Sequence, residues 1–260
     1  ERVRQVIAET GFTPDPVARR RGPTRTLTLG VVGTDLTDPS ADERLRGILS
    51  ILPDHPLTLL IHALPAGRRY PNWLRRLLAH RPDGLLMLPG GFDARELTSV
   101  RDAELPLVTI DVHVEGDWPR ARVVHDCAQG ARMAVDHLIR LGHRRIAFLA
   151  QDTVTSAVQP PDALLRDGFL TALRAARIRT QSGPIVSCPP TIWGGRLAAR
   201  ALFQKRQPPT AIFTAHSLQA LGVLLAAEDL GLHIPRDCSL ISWADDEALV
   251  GPGVTTVGMR

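Results

Sequence analysis

From Leu27 onward, short apolar runs alternate with stretches of helical periodicity, and this alternation restricts the chain to an α/β architecture. Strand-like runs read at 27–33, 57–63, 84–89, 107–111, 121–126, 145–150, 210–215 and 238–243. Helical patterns fall between them at 41–52, 70–80, 93–101, 129–141, 163–176, 195–203 and 218–230. The runs are continuously apolar, as in LTLGVVG (27–33) and RIAFLA (145–150). Such strands are covered on both faces, which is the condition of a parallel sheet flanked by helices. There are more βα units than one such sheet usually holds. The reading is therefore two doubly wound parallel-sheet lobes, 27–122 and 123–254, with 255–260 crossing back to the first. In sheets of this kind ligands bind beyond the carboxyl ends of the strands, often where two domains meet.

The segment before Leu27 follows different rules. Residues 1–10 carry Val3, Val6 and Ile7 at helical spacing, and Gly11 stops the pattern. A helix this short is unstable alone, so residues 1–11 read as the remnant of a helical domain. Residues 12–26 (FTPDPVARRRGPTRT) read as a hinge with one helical turn at 17–21, Asp15 at its N-cap and Pro16 at its first position. Within it, Val17, Ala18, Arg19, Arg20 and Arg21 put three cations on a short segment bracketed by prolines and glycine. That is the electrostatic footprint of a phosphate contact. Almost all the cationic charge of the chain is arginine, and Lys205 is the only lysine, in a chain of net charge +4.

Several chemistries have no signature here. The loop after the first strand reads GTDLTDPS and lacks the G-x-G-x-x-G fingerprint. No phosphate loop, nucleophile elbow or H-E-x-x-H helix occurs. The nine histidines are mostly isolated, so neither a metal site nor a cofactor is expected. Cys127, Cys188 and Cys238 are odd in number and far apart, which fits a reducing cytoplasm better than a disulfide framework. No run of about 18 apolar residues is present, and a membrane partner is not expected. The balance favours a binding protein over an enzyme.

Nine segments, taken in order, resemble the lactose-repressor (LacI/GalR) family. ERVRQVIAETGFTPDPVARR is similar to the last head helix and hinge of that family, TLTLGVVGTDLTDPS to its first core strand and loop, and HRPDGLLMLP to its third-strand segment. DCAQGARMAVDHLIRLGHRRIAFLA is the strongest match. Asp167-Gly168-Phe169, PPTAIFTA, Ala220-Leu221-Gly222, IPRDCSLISWADD and VTTV follow. The resemblance implies a helix-turn-helix head, a hinge that enters the minor groove, and two periplasmic-binding-protein-like lobes that close on a small effector. It implies a homodimeric transcription regulator, a repressor, acting on near-palindromic operator DNA. On that comparison the chain begins inside the head's third helix and stops just past the crossover. The competing reading is a solute-binding protein of a sugar transporter, which shares the two-lobed core.

The family pattern also proposes an effector site, with departures. Ser40-Ala41 stand where an aromatic pair is common, and Leu165 replaces an arginine, with Arg166 displaced by one. His216-Ser217 replace an Asn-Asp pair, and Cys127 replaces the asparagine after Asp126. Arg21 stands where the hinge usually carries a leucine that wedges into DNA. The expected effector residues are Ser40, Asp126, Arg166, Trp193, His216, Trp243 and Asp245. The two aspartates would accept hydrogen bonds, and a tryptophan would stack on a ring. Without the arginine at position 165, a neutral sugar or related metabolite is favoured over an acidic ligand.

Overall fold

The computed structural model describes residues 2–10, 25–34, 36, 39–64, 72–90, 92–112, 118–119, 121–151, 161–179, 184–243, 249 and 252–258. The first sheet is built from β1 (Thr28–Thr34), β2 (Thr58–Leu64), β3 (Gly84–Met87), β4 (Leu107–Ile110) and β5 (Ala121–Val123). Its helices are α2 (Pro39–Ile51), α3 (Trp73–Ala79) and α4 (Ala94–Asp102), while α1 (Arg2–Thr10) precedes it. The second sheet contains β6 (Ile146–Ala150), β7 (Ile185–Ser187), β8 (Ala211–Thr214), β9 (Ser239–Trp243) and β10 (Thr255–Val257). Around it run α5 (Cys127–Arg140), α6 (Pro161–Ala175), α7 (Ile192–Phe203) and α8 (Ser217–Asp229).

Both sheets are parallel and share one topology. The first has the order β2-β1-β3-β4-β5, and the second has β7-β6-β8-β9-β10. In each, the first strand lies between the second and the third, so connections leave it in opposite directions. Val31 sits beside Ile61 on one side and Leu86 on the other. Phe148 sits likewise between Ile185 and Phe213.

Local chemistry sets the helix starts. Asp93 and Glu96 form a reciprocal capping box at α4. Asp126 caps α5 by accepting from the Gln129 amide at 2.9 Å, and Thr191 caps α7 through the Gly194 amide at 3.0 Å. Helix α5 then buries Ala131, Ala134, Val135 and Leu138, an apolar stripe at helical spacing. The centre of the second lobe is a stack of three rings, Phe169, Phe148 and Phe213, with centroids 5.2 and 4.9 Å apart. Its helices approach to backbone contact. Gly168 of α6 lies against the Ala128 carbonyl, and Gly222 of α8 against the Ile192 carbonyl. A Cβ at either position would meet backbone, which explains the glycines flanked by Asp167 and Phe169 and by Leu221 and Val223.

Three sequence expectations need correction. The strand read at 121–126 is paired only over Ala121–Val123, because Asp126 is already committed to capping α5. The short edge strand β7 was not anticipated; three residues beside prolines leave no periodic signal. The segment 255–260 was expected to cross back to the first lobe, but Thr255–Val257 pair with Ile241–Trp243 as an edge strand of the second sheet. The hinge turn, including Val17, Ala18, Arg19, Arg20 and Arg21, lies outside the described residues.

Candidate functional site

In a sheet whose order reverses about its first strand, a crevice opens beyond the carboxyl ends of the two strands flanking the reversal. Here those strands are β1 and β3 in the first lobe and β6 and β8 in the second. The candidate site is built from what stands at these ends and at the β5–α5 connection.

Asp111 ends the first lobe's β4 and is almost fully buried, at 1% exposure. Its Oδ2 accepts from Arg44 Nε at 2.9 Å and Nη2 at 2.6 Å. Its Oδ1 accepts from the His125 backbone amide at 3.0 Å and lies 2.7 Å from His125 Nδ1. Arg44 also donates from Nη1 to the Ser40 carbonyl at 2.7 Å. One carboxylate thus ties the first turn of α2, which carries Ser40, to the residue preceding Asp126. Burial alone would raise the Asp111 pKa, but the charge and hydrogen bonds of Arg44, with His125, hold it below the usual carboxylate range.

The second lobe has its own buried acid. Asp162 lies in the first turn of α6 and is 8% exposed. Its Oδ1 accepts from the Gln151 amide at 3.3 Å, just past β6, and lies 3.3 Å from His216 Nε2. His216 occupies the N-cap position of α8, just past β8. The Asp162–His216 pair therefore stands at the second lobe's reversal point. Cys127, buried at the start of α5, lies within the electrostatic reach of both acids. Its thiol is pushed up to about 12, first by burial and then by the negative charge of Asp111, with Asp162 adding and Arg44 opposing. Such a thiol is inert as a nucleophile at neutral pH. Among the described residues no cluster of three His, Cys, Asp or Glu side chains is placed to hold a metal ion.

The expected effector residues divide into groups. Ser40, Asp126 and His216 fall at element ends near these acids, Ser40 and His216 half-buried and Asp126 exposed with one oxygen engaged as the α5 cap. Trp243 does not offer a free stacking face: its ring is buried in the second core and packs on Gly130. Arg166 is exposed on α6, whereas Leu165 beside it is buried. Trp193 is 63% exposed on α7, with the Arg196 guanidinium 5.9 Å over its ring. Asp245 lies outside the described residues. Sequence reading missed Arg44, Asp111, His125 and Asp162. A charge directly ending the apolar run LVTI was the available signal for Asp111, and an acid after Pro160-Pro161 at a helix start was the one for Asp162.

Comparison with known proteins agrees with this geometry. Residues 135–260 match the model of the periplasmic binding protein-like domain. The ribose operon repressor of Haemophilus influenzae is 29% identical over 265 residues, spanning 99% of this chain and 76% of the repressor. The crystal structure of a LacI transcriptional regulator from a Rhodococcus species superposes with a TM-score of 0.76 at 27% identity, covering 88% of this chain and 83% of that one. The lac repressor dimer bound to operator and the anti-inducer ONPF superposes with a TM-score of 0.82 at 23% identity, over 98% of this chain and 76% of that one. These relatives are named as regulators of transcription. With two lobes of one topology and similarity along nearly its whole length, the chain is similar to transcriptional regulators of the lactose-repressor (LacI) family, and its second half matches the periplasmic binding protein-like domain.

Proposed function

We propose that this regulator is a homodimeric repressor whose affinity for operator DNA is set by a neutral sugar or related small metabolite held between the lobes. The observation that carries the effector reading is the polar chain Ser40–Arg44–Asp111–His125. It joins the first lobe's α2 to the connection that starts α5. A ligand touching Ser40 and Asp126 together would act on both ends of that chain. It would bind the closed arrangement better than the open one, and that differential is what shifts a two-state regulator. The effector residues in this reading are Ser40, Asp126 and His216, with Asp245, which lies outside the described residues, kept from the sequence. A transcription regulator of this kind works in the cytoplasm, and no helix among the described residues is long and apolar enough to cross a membrane.

The DNA contact falls to Val17, Ala18, Arg19, Arg20 and Arg21, with the arginines on phosphates. For the second copy, the exposed apolar side chains Trp193 and Leu197 on α7 and Leu225 on α8 are the contacts proposed for a symmetric partner. That role reassigns Trp193 from the effector to the subunit interface.

The effector experiment is a thermal-shift and calorimetric screen of pentoses, hexoses and nucleosides. A ligand at about 100 times its dissociation constant stabilises by about 2.7 kcal/mol. Wild-type affinity for a confirmed effector in both Ser40→Ala and Asp126→Ala would refute this site. For DNA, alanine at Arg19, Arg20 and Arg21 should lower the salt slope of operator binding by about one unit per lost contact.

A further inference from the structure

The two buried aspartates differ in how their charge is balanced. Asp111 has Arg44 on one oxygen and His125 on the other. Asp162 is nearly as buried, yet no arginine or lysine pairs with it among the described residues. Its contacts are one backbone amide and one imidazole, whose charge depends on protonation. A buried carboxylate without a cation is costly unless something supplies one. The segments leaving the four flanking strands, 35–38, 88–93, 151–160 and 215–216, contain no arginine or lysine, in a chain that has 31 of them. Arg166, four residues beyond Asp162 on α6, is exposed, and the inward position beside it is Leu165.

We infer that Asp162, paired with His216, sets the charge class of the effector: the site takes a hydroxylated ligand bearing an amine and rejects its phosphate ester, with Asp162 making the choice and His216 holding a hydroxyl. The inference rests on the carbohydrate reading above and narrows it. An ammonium group within hydrogen-bond reach of Asp162 gives the carboxylate its missing counter-charge and forms a charge-assisted hydrogen bond. His216, beside it, serves a neighbouring hydroxyl as donor or acceptor according to tautomer. A phosphate in the same place would face a carboxylate in a largely water-excluded position, with no arginine fork to receive it. Asp162 is the specificity-determining residue in this account, while His216, Ser40 and Asp126 serve ligands of every charge.

The test is calorimetry on this chain with matched sets: ribose, ribose 5-phosphate and 1-amino-1-deoxyribitol, and glucose, glucose 6-phosphate and glucosamine. In the set that binds, the amine is expected to bind at least about tenfold more tightly than the phosphate ester. Asp162→Asn should remove that preference while changing the neutral member's affinity less than about threefold. Because Asp162 also receives the Gln151 amide, His216→Asn is the companion variant, and melting curves of both show whether the lobe is intact. His216→Asn keeps the preference for amine over phosphate and weakens all three members of the set. A wild-type phosphate ester binding as tightly as the amine overturns the inference and leaves the carbohydrate reading standing. So does an amine preference that survives Asp162→Asn in a folded protein. Binding by no member of either set overturns both.

Discussion

The two lobes have the same strand order but are held together by different means. In the second, α5 packs on α6 and α7 on α8 at backbone contact, through Gly168, Gly195 and Gly222. Every residue of β6 and β8 is buried. In the first, α3 and α4 barely touch one another, and β2 is an edge strand with Ile61 half exposed. What joins the first lobe to the β5–α5 connection is polar: one saturated carboxylate, Asp111, bonded to α2 and to His125. Interlocked apolar surfaces have one arrangement, because any shift opens voids. A hydrogen-bonded node can exchange partners when a ligand offers better ones. On the effector reading proposed above, the second lobe would be the rigid body and the Asp111 node the joint.

Removing the joint is expected to have the largest effect. Asp111→Ala leaves the largely covered Arg44 guanidinium without its carboxylate and should cost about 3 kcal/mol, read by urea unfolding. Asp111→Asn keeps the shape and separates charge from packing. The pH dependence follows from the lowered pKa of Asp111. A carboxylate depressed in the folded state contributes stability that is fully present above its unfolded pKa, about 3.9, and is lost as pH falls through the lower folded value. The gap between wild type and Asp111→Asn should be constant above about pH 5 and close below about pH 4. A gap that persists to pH 2 would show that the node is held by shape and not by charge.

The rigid body comes next. Gly168→Ala drives a methyl group into the Ala128 carbonyl, which α5 cannot move without disturbing its cap at Asp126. Overpacking of this kind costs about 1–3 kcal/mol. The melting temperature should fall, and ligand affinity should fall with it if α5 is displaced. An unchanged melting temperature would mean that the helix pair slides, and the contrast between the lobes would fail.

A smaller effect is expected at the amino ends of the second sheet. His143 Nδ1 lies 3.0 Å from Thr210 Oγ1 and its Nε2 lies 2.9 Å from Ser239 Oγ, linking the residues before β8 and at the start of β9. Burial, with the nearby His137, lowers its pKa below 6.5, so the folded lobe holds it neutral. A histidine depressed on folding contributes stability that is present above the unfolded pKa and is lost as pH falls towards the folded one. His143→Ala should cost about 1–2 kcal/mol at pH 8, the worth of two hydrogen bonds. That cost should shrink as pH falls below about 6.5. A cost independent of pH between 8 and 5 would contradict the assignment.

Sequence reading recovered what periodicity encodes. The stripe Ala131, Ala134, Val135 and Leu138 defines α5, and the apolar runs at β1, β6, β8 and β9 define two parallel sheets. It recovered less where one residue type serves two structural ends. Trp243 looks the same in sequence whether its ring faces a ligand or Gly130, and only the close approach of α5 to β9 decides. Trp193 is a helix residue whose direction depends on how α7 rotates against α8. The Asp111–Arg44 bond spans 67 positions, and no local pattern announces it. The edge strand β10 was misplaced because a strand of three residues is defined by its partner, β9, more than by its own sequence.

The smallest expected effect probes the first lobe's helices directly. Gly47 lies within α2, is exposed, and has open space where a Cβ would go. A glycine in a helix interior loses more backbone freedom on folding than alanine does, at a cost of about 0.5–1 kcal/mol. Gly47→Ala should therefore stabilise the protein by about that amount, the reverse of Gly168→Ala, although both replace a helical glycine by alanine. The two substitutions differ only in what surrounds the new methyl group: solvent beside α2, the Ala128 carbonyl beside α6. If α2 shifts when effector closes the lobes, stiffening it will also move the apparent affinity, by favouring whichever arrangement keeps α2 helical up to Ile51. Paired melting and effector titrations on Gly47→Ala separate these contributions. A rise in melting temperature with unchanged affinity makes α2 a rigid carrier of Ser40 and Arg44, and leaves the Asp111 node as the moving part. A change in affinity larger than the change in stability would place part of the joint in α2 itself.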